Sequence, residues 1–319
     1  DSVTFFITIL ALIDFGLLRF FEINIFDILA GAKSQNVIAK LKPKGEVKSL
    51  LIFTSHLDSP YLMKIYEQQF REYHFILKNT FIGCFILLFL ISLLQKLMLI
   101  PSLIDYLYFL SFLCLGFIVY YQQAMITYQV SFGANFNLSG TSILVGLTKH
   151  FSINRLKNTE VWFCTFGSQS TDYTGAKKFL EIHRERLNEN TRIINIEAVA
   201  GGGLYIIDKE PETSFEYDSG LNNLFLDSAK ELKIPLDIIS LKGIRTNAGT
   251  FLKKKIKCTS IITLDDKGIP LRYFSKEDLP QYISEEQLQE SYKICIKVTE
   301  KIDEGPKTKQ TKAKKQPNQ

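Results

Sequence analysis

The residues able to do chemistry in this sequence are few and scattered. His56 is followed two positions later by Asp58, a spacing at which a carboxylate can orient an imidazole. The same pair also reads as a hydrogen-bonded histidine at a strand end and a turn residue ahead of Pro60. The other three histidines read as structural. His150 closes a helix, where a cation suits the dipole, and His74 and His183 sit in charged helical surroundings that keep them solvated. Asp172 after Thr171 reads as a helix N-cap. Gly201-Gly202-Gly203 lacks the spacing of a phosphate-binding glycine loop and reads as a tight turn. The five cysteines form no CxxC pair and no even framework, which argues for a reducing compartment and against a thiolate metal site.

These residues have to be positioned by something, and the sequence pattern says what. Alternation and β-branched or aromatic composition predict strands at 36–42, 48–55, 161–166, 192–197, 204–207, 236–240 and 259–264. Helical periodicity predicts helices at 138–151, 173–188, 220–232, 248–255 and 284–302, the last opened by a capping box of Ser284 and Gln287. Strands alternating with helices imply an α/β fold, a mixed and mostly parallel sheet covered on both faces. Ligands in such sheets bind at the carboxyl ends of strands, where His56 falls.

Two populations make up the rest. The stretch from Asn79 to Tyr121 is almost uncharged, whereas 155–319 has the charge content of a water-facing protein. Asn79–Leu94 and Leu97–Tyr121 each extend to the length of a bilayer crossing, and the break at Lys96–Pro101 suits a helical hairpin. The run from Val3 to Leu18 is a third candidate span and lacks the basic start of a signal peptide. The expected organisation is an N-terminal transmembrane helix over 1–20, an α/β domain over 34–75 and 122–303, an inserted transmembrane hairpin over 76–121, and a basic tail over 304–319. Arg19, Lys33, Arg71 and Lys78 flank the spans on one side against Lys96 on the other, which predicts a multi-pass protein with its α/β domain in the cytoplasm. The formal charge of +5 comes from Lys307, Lys309, Lys312, Lys314 and Lys315 in the tail. The body is therefore balanced and is not expected to bind nucleic acid.

The order of segments resembles metallopeptidase family 28, the dizinc aminopeptidase-like group, and identifies the chain as a degenerate, membrane-bound relative. The resemblance runs through Ser55-His56-Leu57-Asp58-Ser59, Gly133 to Gly140, Phe166-Gly167-Ser168-Gln169, Ile194-Asn195-Ile196-Glu197 and Arg272 to Asp278. It implies a three-layer aminopeptidase-like fold with the hydrophobic hairpin inserted between the first two motifs. It also implies a role for each position. His56 stands at a metal-binding imidazole, with Asp58 behind it as the orienting carboxylate, and Glu197 stands at an aspartate ligand. Phe136 replaces a bridging aspartate, Gln169 the general base, Ser170 a metal-binding glutamate and Phe274 a metal-binding histidine.

A neutral amide cannot take a proton from a metal-bound water, and a benzyl group cannot ligate a metal. A catalytic zinc usually has three protein ligands, and here two remain. The expectation is a peptidase-like membrane protein without catalysis or bound cofactor, acting as an interaction or binding platform with a protein partner in the membrane. The alternative is a membrane aminopeptidase that keeps zinc in a rearranged site.

Overall fold

The computed structural model describes residues 33–66, 73–97, 104–125, 127, 129–169, 173–210, 216–242 and 244–305, with a few positions between 5 and 13. The expected N-terminal span over 1–20 lies largely outside these residues, with 5–7, 9–10 and 13 helical. The tail beyond Gly305, Ser170 and Asp172 also lie outside them. The chain divides into two compact units.

The larger unit takes in 35–58, 134–271 and 279–319 and holds a seven-stranded sheet. Its strands are β1 (Val37–Leu41), β2 (Ser49–His56), β3 (Thr159–Phe166), β4 (Thr191–Ile196), β5 (Gly203–Lys209), β6 (Asp237–Ser240) and β7 (Lys257–Leu264). They lie in the order β1-β3-β2-β4-β7-β5-β6. The central strands β3, β2, β4 and β7 run parallel; β1 joins β3 antiparallel and β5 joins β7 antiparallel.

Burial on both faces explains why the central strands read as nearly continuous apolar runs. Along β2, Leu51 and Phe53 enter one core with Leu147, Phe225 and Val298, while Ile52 enters the other with Trp162 and Phe251. That is the period-two alternation of a strand with cover above and below. The first cover is made by α3 (Ser139–Ile153), α5 (Ser219–Leu232) and α7 (Glu285–Glu304); the second by α4 (Thr174–His183) and α6 (Ala248–Leu252). The expected capping residue is in place, since the Ser284 hydroxyl accepts from the Gln287 amide at 3.3 Å. Helix α4 stops at His183, short of the predicted 188, and passes into a 3₁₀ turn at Arg184–Arg186. His183 departs from its expected solvated state: it is half-buried against Trp162 and Phe179, and burial lowers its pKa.

The smaller unit takes in 1–34, 59–133 and 272–278. It carries a helical hairpin of α1 (His74–Lys96) and α2 (Ile104–Met125). The hairpin closes around Leu88, Cys114 and Ile118, with Phe81 stacked on Tyr121 at 4.5 Å between centroids. Among the described residues one helix, Ile76–Lys96, is long and apolar enough to cross a membrane.

Candidate functional site

In the larger unit the candidate residues gather at the carboxyl ends of β2, β3 and β4. His56 is the last residue of β2, paired in register with Phe166 of β3, and has no exposed surface. Its backbone carbonyl accepts from the Thr141 hydroxyl at 3.0 Å. Asp58 Oδ1 lies 3.6 Å from His56 Nδ1, within ion-pair reach of a protonated ring but beyond hydrogen-bonding distance. Neither ring nitrogen of His56 has a hydrogen-bond partner among the described residues. The Phe136 ring packs against the imidazole instead, with centroids 4.7 Å apart and planes at 65°.

Phe136 is held there by its backbone. Residues Ala134–Leu138 form a π-helical turn leading into α3, and the Phe136 carbonyl accepts from the Ala198 amide at 3.2 Å. On either side, Asn135 Oδ1 accepts from Ala200 N at 2.9 Å, Asn137 Nδ2 donates to Leu57 O at 2.9 Å and Ser139 Oγ accepts from Val199 N at 3.0 Å. The turn is thus fastened to both neighbouring strand ends. Gly140 completes the approach, because a Cβ there would strike the Ile196 carbonyl and the Ser55 hydroxyl.

Glu197 follows β4 and is buried at 2% exposure. Its Oε1 accepts from Asn247 Nδ2 at 2.8 Å, Asn247 N at 3.1 Å and Gln169 Nε2 at 3.4 Å. All three donors are neutral amides. Gln169 Oε1 and Asn247 Oδ1 have no hydrogen-bond partner among the described residues. The loops beside these residues keep strained backbones: Ser168 and Ala198 both have positive φ, at 55° and 48°.

Phe274 belongs to the smaller unit. It stacks on Tyr273 at 4.0 Å, meets Tyr66 edge-on at 5.6 Å and accepts from Met63 N at 3.1 Å through its carbonyl. Arg272 and Phe274 also have positive φ.

Two participants had no signal in the sequence. Asn247, directly ahead of α6, contributes two of the three bonds to Glu197. Its neighbour Thr246 donates to a second buried carboxylate, Glu210, through its amide at 3.0 Å and its hydroxyl at 2.5 Å. Tyr217 donates to the same Glu210 oxygen at 2.5 Å. Burial pushes the Glu210 carboxyl up to about 7. Among the described residues no three His, Cys, Asp or Glu side chains converge.

No protein-family model matches the sequence, and no curated protein matches it. Solved structures do. An aminopeptidase from Aneurinibacillus sp. strain AM-1 superposes with a TM-score of 0.51 at 19% identity, over 83% of this chain and 47% of that one. BSAP, a zinc aminopeptidase from Bacillus subtilis, gives 0.53 at 16% identity, over 83% and 49%. A glutaminyl cyclase from an Acidobacteriales bacterium gives 0.51 at 11% identity, over 84% and 73%. The chain spans about half the length of the two aminopeptidases. Their common ground with this chain is the mixed α/β sheet with helices on both faces, and the chain therefore has the aminopeptidase-like fold.

Proposed function

We propose that this protein is a peptidase-like membrane protein without peptidase activity, whose fold serves as an interaction or binding platform for a partner in the membrane. One observation carries the reading. One oxygen of Glu197, Oε1, already accepts three amide hydrogen bonds, while the Phe136 ring packs against His56. Gln169 directs one amide N–H to Glu197, and an amide cannot act as a base toward water. This donor set, one imidazole and one carboxylate with an oxygen already held by amides, does not fit a pair of zinc ions, which need a bridging carboxylate and further ligands around each. The helix Ile76–Lys96 supports the membrane part of the reading.

A second reading, a zinc aminopeptidase with a rearranged site, is favoured by the ring nitrogens of His56, which have no hydrogen bond among the described residues. Incubating the purified chain with short peptides separates the two. The first reading expects no release of amino acids. Release that a chelator stops and His56→Ala abolishes would establish the second.

A further inference from the structure

We infer that the α1–α2 hairpin is cut for a thin bilayer, with a hydrocarbon core of about 27 Å rather than about 33 Å. This rests on the reading of the hairpin as membrane-embedded, and it names the kind of membrane that would accept it.

The surface of α2 shows what surrounds it. Cys114, Ile118 and Tyr121 are buried toward α1, Leu107, Ser111 and Phe117 are half-buried, and most of the remaining circumference is exposed. The exposed side chains include Tyr106, Phe109, Phe112, Leu115 and Val119. A helix apolar on every side is a core helix or a membrane helix, and this one has a partner along a single stripe. Lipid is the occupant that would cover the rest without further specificity.

The charge-free length of α1 sets the thickness. On α1, Lys78 and Lys96 bracket a stretch without a charged residue. At 1.5 Å per residue that separation rises about 27 Å. On α2 the run from the charged Asp105 to the neutral Gln122 rises about 26 Å. Tyrosines stand at both ends of α2, Tyr106 and Tyr108 at the start and Tyr120 near the finish, where amphipathic rings suit an interface. A lysine stretched along the axis could lengthen the apolar span. Lys96 is folded over the Phe5 ring, with its ammonium 4.4 Å from the centroid.

The chain has a single tryptophan, Trp162, buried in β3, so a second one on the exposed face of α2 can report on lipid. The test uses the full chain carrying Phe112→Trp in phosphatidylcholine vesicles doped with brominated lipid, at hydrocarbon thicknesses of about 27 Å and about 33 Å. Quenching of the new tryptophan should be at least about twofold stronger in the thinner bilayer. Adding Lys96→Leu, which lengthens the charge-free stretch, should move the preference toward the thicker one. Equal or stronger quenching of the Phe112→Trp chain in the thicker bilayer would overturn the inference while leaving the hairpin in the membrane. Quenching in neither bilayer, with native circular dichroism, would overturn the membrane reading itself.

Discussion

Asn247 gives both its backbone N–H and its side-chain amide to one oxygen of Glu197. A buried carboxylate needs compensation for the water it has lost, and here a neighbouring loop supplies that compensation without a cation. Asn247→Ala should therefore destabilise the protein by about 1–3 kcal/mol through loss of one bond to a buried charge. Urea unfolding followed by circular dichroism measures it. An unchanged midpoint would mean that Glu197 has another source of compensation.

Phe136 offers a direct challenge. Phe136→Ala removes a ring packed on His56 and should cost about 3–5 kcal/mol. Phe136→Asp puts back the carboxylate that the aminopeptidase resemblance expects, and should be at least as destabilising. The informative step is adding zinc to the Asp variant. No recovery is expected, because Gln169 and Asn247 still hold Glu197. A zinc-dependent rise in melting temperature would show that the remaining donors suffice.

Glu210 should make stability depend on pH near neutrality. Its carboxyl is pushed up to about 7 by burial, which outweighs the hydrogen bonds from Thr246 and Tyr217. The unfolded value is about 4.3. The folded protein keeps the proton to higher pH than the unfolded chain does. The contribution is fully present below about pH 4.3 and is lost as pH rises to about 7, a difference on the order of 3 kcal/mol. Glu210→Gln preserves an acceptor for Tyr217 and Thr246 and should flatten that slope. Urea midpoints at intervals across this range test it, and an equally steep slope in the variant would assign the dependence elsewhere.

Much of the larger unit was legible in the sequence, for a physical reason. All seven strands and five helices fall within a few residues of where apolar alternation and helical periodicity place them. A sheet buried on both faces writes its strands as apolar runs, and Ser284 writes a helix start through its capping bond. The ends of α4 and α6 were harder. Periodicity continues past His183 and Leu252, but the backbone turns there, with Lys255 at positive φ. At the site, the resemblance pointed to His56, Phe136, Gln169 and Glu197, and the contacts His56–Phe136 and Gln169–Glu197 cross long sequence separations. Gln169 and Asn247 meet on Glu197 because β4 and the loops beside it end together, which no local pattern records. The Glu210 cluster was invisible for the same reason: Thr246, Tyr217 and Glu210 come from separate elements.

Metal content separates an empty site from a working zinc centre. The full chain should be expressed in zinc-supplemented medium, purified without chelators and measured by elemental analysis alongside His56→Ala. A Glu197 whose Oε1 is held by three amide donors and a His56 packed against Phe136 predict zinc well below one ion per chain, unchanged by the substitution. About two zinc ions per chain, lost in His56→Ala, would contradict the account and restore the metallopeptidase reading.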